Sequence, residues 1–150
     1  MSGVAVEVTL DDADLRQALS RLAAADLDEI AFAAGQMVED QTRRRIADEK
    51  IGPDGLPWAA WSPDYAATRS AKHSLLIGEG NPGLLESIQN YTEGETVRVG
   101  TPLVYGAIHQ MGGAGTGKPG LPARPYLGLS EANRQEITEL VTGLVEDILQ

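Results

Sequence analysis

Cysteine is absent from the 150-residue chain. That absence excludes disulfides, thiol nucleophiles and cysteine-ligated zinc, and it is compatible with a reducing compartment. Aromatic residues are scarce, at 5%, with one Phe and two Trp. Basic charge is also short. Twelve Lys and Arg face 22 Asp and Glu, for a net charge of −10. A chain so acidic is poorly suited to holding nucleic acid or anionic lipid by bulk electrostatics. No apolar run approaches the roughly 18 residues that a membrane span needs. The opening stretch, residues 1–12, has no basic group ahead of an apolar run, so it does not read as a secretory signal. The expectation is a soluble, cytosolic chain forming one domain over residues 1–150.

What is present is a globular balance, 42% hydrophobic and 23% charged. The acidity sits at the two ends. Residues 1–48 carry 10 acidic and 5 basic groups, residues 49–130 carry 7 and 6, and residues 131–150 carry 5 and 1. The nearly neutral middle is rich in Gly and Pro. Residues 4–10 alternate, with Val4, Val6, Val8 and Leu10 on one face, which predicts a half-buried strand. Asp11 or Asp12 then suits a helix N-cap ahead of Leu15, Leu19 and Leu22. Asp26 suits a second cap, for a long helix over about 27–50 with Ile30, Ala34, Met37 and Val38 as its apolar stripe. Lys50 near its end suits the helix dipole. Ser62-Pro63 and Asn81-Pro82 each read as N-cap and first residue of a short helix, the first reaching about Ala71. Glu93-Gly94 is a tight turn between strand-like segments 88–92 and 95–101. Residues 105–111 read as a short helix, and Ser130 caps a last one over 131–149. The sum is an α+β domain, a small antiparallel sheet with two long helices, about 27–50 and 131–149, packed on it.

Candidate chemistry is thin. Gly112 to Lys118 matches G-x-x-x-x-G-K, but the hydroxyl residue that would ligate magnesium is replaced by Pro119. Pro119, Gly120 and Pro122 also resist the helix that a phosphate-binding loop requires. A flexible Gly-rich loop is the plainer reading, with nucleotide binding through Lys118 as the alternative. His73 and His109 lack partners at metal-ligand spacing. Ser70 and Ser74 bracket His73, yet no Ser lies in a G-x-S-x-G turn. No cofactor is expected. Arg43-Arg44-Arg45 point about 100° apart on a helix, so they form no single patch, and Glu39, Asp40, Asp48 and Glu49 are placed to pair with them. Trp58 and Trp61 lie three apart in a Gly/Pro-bounded loop, either anchoring it or forming an interface hot spot. Arg124-Pro125-Tyr126-Leu127 offers a second anchor of that kind.

In order along the chain, these strings resemble the phage virion morphogenesis family, which includes tail completion proteins of Mu-like phages. Gly52-Pro53-Asp54-Gly55-Leu56-Pro57-Trp58 is similar to its P-x-G-x-x-W loop. Trp61-Ser62-Pro63, Leu75-Leu76, Gly83-Leu84-Leu85-Glu86-Ser87-Ile88 and Val97-Arg98-Val99-Gly100-Thr101 follow in the family's order. Tyr105-Gly106-Ala107-Ile108-His109-Gln110-Met111-Gly112 and Leu121-Pro122-Ala123-Arg124-Pro125-Tyr126-Leu127-Gly128-Leu129-Ser130 are the most specific parts. The resemblance covers about residues 30–150. One departure is Asn81-Pro82-Gly83-Leu84 where the family has a Thr-Gly-Arg-Leu-like string, which weakens a role for a basic group there.

The resemblance implies a structural virion component, not an enzyme, at the head–tail junction or the head-proximal tail end. It implies a ring, a hexamer by match to the sixfold tail, touching neck or tail-tube proteins, with DNA only as cargo and no membrane. Host cytoplasm during assembly and the virion afterwards are the implied locations. Trp58, Trp61, His109, Gln110, Lys118, Arg124 and Tyr126 are the candidate interface or loop-anchoring residues. The Gly-rich loop 112–120 is expected to order against a neighbour, and an acidic surface lining a channel would let DNA slide. The runner-up readings are a nucleotide-binding assembly factor and a DNA-binding neck module.

Overall fold

The computed structural model describes residues 13–150. The expected strand over 4–10 and its Asp11 or Asp12 cap lie outside the described residues. The first helix, α1 (Ala13–Ala23), leads by a short turn to α2 (Leu27–Arg44). Asp26 caps α2 as expected, its carboxylate accepting from the Asp28 and Glu29 amides at 3.0 and 3.4 Å.

The long helix does not stay α-helical to residue 50. Its last turn, Arg45–Glu49, is π-helical, and Lys50 ends it in the left-handed region at φ 56°. That wide turn brings residues five apart into line, so Arg44 reaches Glu49 at 3.1 Å. The helix end leaves carbonyls without partners, and the Lys50 ammonium takes one of them while reaching across to the 74–75 segment. It donates to Ile46 O, to Leu75 O at 2.8 Å and to Ser74 Oγ at 2.9 Å. Burial pushes its pKa down.

Ser62 and Pro63 open α3 (Pro63–Ala67) as expected, but it stops well before residue 71. Thr68 turns its hydroxyl back onto Tyr65 O at 2.7 Å and closes the helix. Pro82 does not start α4 (Leu84–Ser87). The Asn81–Pro82 peptide is cis, and Gly83 takes the N-cap place. The hairpin forms between β1 (Gln89–Asn90) and β2 (Val99–Gly100), antiparallel, with Gln89 opposite Gly100. Its loop is Gly94-Glu95, one residue later than expected, because Gly94 supplies the positive φ of 59° at the first central position. The short helix α5 (Gly106–Met111) and the long α6 (Glu131–Leu149) fall where the sequence places them. Ser130 and Asn133 form a capping box at the start of α6.

The α+β class holds, with the two long helices taking different seats. Helix α2 lies against the hairpin, while α6 packs on α1 and α2. The α2–α6 contact is polar at its centre. Gln41, Thr42 and Asn133 are buried there, and Gln41 Nε2 donates to Asn133 O at 3.2 Å and to Glu136 at 2.7 Å. The aliphatic face of α6, from Ile137 to Ile148, is only half-buried. The core sits elsewhere, where the end of α2, α4 and the chain after residue 123 meet. It consists of Ile46, Trp58, Leu84, Ile88 and Tyr126.

Candidate interaction site

The stretch Arg124–Gly128 pairs with no strand among the described residues, yet most of its backbone groups are bonded. Side chains from separate elements replace the missing ladder. Trp58 Nε1 donates to Pro125 O at 2.8 Å. Arg45 donates to Tyr126 O at 2.7 Å and Gly128 O at 3.1 Å. Gln110 accepts from the Tyr126 and Leu127 amides, both at 3.0 Å, and donates to Leu127 O at 3.1 Å. Tyr126 sends its hydroxyl back to Gly106 O at 2.8 Å, and burial lifts its pKa to about 12. Arg124 ties the same stretch to the tryptophan loop through Ala59 O at 2.8 Å and Ala60 O at 3.2 Å.

This frame fixes one wall of a cleft of about 1030 Å³. Two ladders at helical i, i+4 spacing rise from its sides. On one, Trp61 meets Tyr65 edge-on at 5.8 Å, and Arg69 stacks over Tyr65 at 4.6 Å. On the other, Tyr105 meets His109 edge-on at 5.9 Å. Arg124 and Leu84 lie in the wall, and Lys118, Gly120 and Leu121 bring the Gly-rich loop to the rim. Val104 precedes and Met111 ends the turn and helix that carry Tyr105, Ile108 and His109 of the cleft, and they are 96% and 77% exposed, an apolar lip suited to being covered by another molecule.

Of the seven candidate residues, Trp61, His109, Lys118 and Arg124 line the cleft. Trp58, Gln110 and Tyr126 stand behind it, holding its wall. The tryptophan pair therefore divides, Trp58 anchoring at 7% exposed and Trp61 facing the cleft. Sequence reasoning passed over Tyr65, Arg69 and Tyr105. The signal for the first two was their spacing from Trp61 in steps of four residues, across the helix that Ser62-Pro63 starts.

Gly106 shows how tight the supporting frame is. A Cβ there would lie 2.5 Å from Thr101 Cγ2 and 2.8 Å from the Tyr126 hydroxyl. Gly106→Ala is expected to cost about 1–3 kcal/mol in urea unfolding, the usual range for overpacking.

The charge of the cleft sets a pH dependence. Burial, with Arg124 and then Lys118 nearby, holds the His109 pKa below its ordinary 6.5. The unfolded chain therefore takes up this proton first as pH falls, and folding stability drops below about pH 6.5 until the folded-state pKa is passed. At the α2–α6 contact, the Gln41 hydrogen bond and then Arg44 hold Glu136 below its ordinary 4.5. That contribution is present above about pH 4.5 and is lost below it. Melting temperature measured against pH should fall in both windows. His109→Gln should flatten the upper one and Glu136→Gln the lower.

The Gly-rich segment is not built as a phosphate cradle. It follows α5 and runs into a turn, not from a strand into a helix. Several of its amides are spent within the loop. Gly113 N donates to Leu121 O, Thr116 N to Gly113 O, and Lys118 N to Thr116 Oγ1. The arginine run also separates. Arg43 pairs with Glu39 at 2.8 Å, and Arg44 pairs with Glu49 and Glu136 at 3.1 Å each. Arg45 breaks the expected pairing with carboxylates. It is 2% exposed and bonded to carbonyls and Asn133, because the π-helical turn aims it inward. Among the described residues, no cluster of His, Asp or Glu is placed to hold a metal. No helix among them is long and apolar enough to cross a membrane.

No solved structure matches the chain significantly. "Putative capsid assembly protein G" of Escherichia phage Mu is 35% identical over 119 residues, covering 74% of this chain and 72% of that protein. The model of the phage virion morphogenesis family matches residues 10–146. That match spans both the cleft and the frame behind it, and the chain belongs to the phage virion morphogenesis family.

Proposed function

We propose that this chain is a structural component of the head–tail junction or the head-proximal tail end, completing the tail and joining it to the DNA-filled head. The family match over residues 10–146 carries the reading. Support comes from a site shaped for contact, a cation-bearing aromatic cleft with an uncovered apolar lip. In this reading the subunits form a ring, a hexamer, against neck or tail-tube proteins, and DNA passes through as cargo. The excess of acidic charge suits a channel wall that repels phosphate. The exposed residues 114–120 would order on assembly, so their amide exchange should slow in assembled particles. Equal exchange in the free and assembled protein would remove the loop from the interface.

The name of the Mu relative favours a second reading, action in building the capsid itself. Electron microscopy of a parent phage lacking the gene separates the two. Full heads beside unjoined tails support the junction reading. Missing or malformed heads support the capsid reading. Normal infectious particles contradict both. A nucleotide role through Lys118 is a third reading, and equilibrium binding of labelled ATP tests it, since no saturable binding is expected under the other two.

A further inference from the structure

The cleft carries a charge that the rest of the chain does not. The chain has a net charge of −10, yet among the described residues no Asp or Glu lines the cleft, while Arg69, Lys118, Arg124 and His109 do. None of the three cations meets a carboxylate of the described residues. Arg124 spends its donors on backbone carbonyls, Arg69 lies over Tyr65 with its Nε buried and unbonded, and Lys118 has no ion pair. Glu79 stands just outside, 83% exposed, and turns to His73 at 3.8 Å. Between the cations the surface is apolar, with Leu76, Ile77, Leu84, Ile108 and Leu121. Such a cleft suits an extended segment that alternates aliphatic side chains with carboxylates.

The chain contains one segment of that description. Residues 4–12 present Val4, Val6, Val8 and Leu10 at every second position, with Glu7, Asp11 and Asp12 and no Lys or Arg. They immediately precede α1, which packs on α6. No residue of α1, α2 or α6 lines the cleft, so the segment and its complement come from different stretches of the sequence. Donor and acceptor surfaces that differ make a head-to-tail contact, and such contacts close into rings when the rotation between subunits allows it. We propose that residues 4–12 of one copy dock in the cleft of the next. Their valine face meets the aliphatic lining, and their carboxylates meet Arg69 and Lys118. This contact deepens the ring reading given above and rests on it.

The lack of native cysteine makes the test clean. Thr9→Cys places a thiol on the segment. Gly120→Cys places one on the cleft lining, where an added Cβ meets nothing within 4 Å. The two full-length proteins, each carrying one thiol, are mixed and oxidised. Glu95→Cys at the hairpin loop replaces Gly120→Cys as the control. The expected result is a linked Thr9–Gly120 heterodimer at least about tenfold above the control, because disulfides form only when the Cα atoms approach within about 7 Å. Lys118→Glu or Arg69→Glu in the cleft partner should reduce that yield, and so should salt near 1 M, where screening acts within about 3 Å. A yield no greater than the control overturns the proposal. So does a chain carrying both thiols that links only within itself. Either failure leaves the head–tail phenotype of the gene deletion intact, so the docking contact and the junction role are judged separately.

Discussion

Arg45→Met is expected to destabilise the fold by about 3–5 kcal/mol, the net of three buried acceptors losing their donor and one buried charge being removed. Methionine keeps much of the aliphatic volume of the arginine stem, so the loss is not mainly one of packing. It is a loss of donors. Tyr126 O, Gly128 O and Asn133 Oδ1 all accept from this one guanidinium in a place where Arg45 is 2% exposed and Tyr126 1%. Each acceptor left without a donor costs about 1–3 kcal/mol. The relief of no longer burying a charge offsets part of that sum, and burial does push the Arg45 pKa down. Arg45→Lys should fare little better, since a single ammonium cannot span acceptors that a planar fork reaches together. Against a total stability of about 5–15 kcal/mol the effect is large, and the midpoint of urea unfolding measures it.

Gln110→Leu is expected to cost about 2–4 kcal/mol, from two amides and one carbonyl losing their partners. Leucine matches the size of glutamine, which isolates the polar contribution. The Tyr126 and Leu127 amides both donate to Gln110 Oε1 at 3.0 Å, and nothing else stands in as acceptor for them. The change also has a local signature. Hydrogen exchange at those two amides should accelerate far more than exchange within α6, which Gln110 does not touch. Because the same stretch holds the wall of the cleft, the variant should weaken assembly as well as stability.

Much of this architecture is legible in the residues. Asp26, Ser62 and Ser130 cap their helices as their side chains dictate, and α6 runs over the span its apolar period marks. The hairpin is legible apart from a one-residue shift in its loop, since Glu93-Gly94 shows where a turn falls but not which residue needs the positive φ. The π-helical turn at Arg45–Glu49 is hidden, because the sequence continues an ordinary helical period through it. Arg45 is hidden for the same reason. Three arginines in a row look alike, and only the tertiary setting of Tyr126, Gly128 and Asn133 draws one of them inward. At the candidate site, the strings around Tyr105 and Arg124 supply residues of the cleft and of the frame behind it. They mixed two kinds of residue, those that face the cleft and those that hold it from behind. Composition also hid the charge of the cleft, since a net charge of −10 averages over a surface on which Arg69, Lys118 and Arg124 share one cleft.

The central claim is one of place, that this chain works where head meets tail. Cryo-electron microscopy of intact parent particles, averaged over the neck and compared with particles lacking the gene, tests it most directly. The account predicts a ring of density at the head-proximal end of the tail that fits this fold and disappears with the gene. Unchanged density at the neck, with the difference confined to the capsid shell, would contradict it.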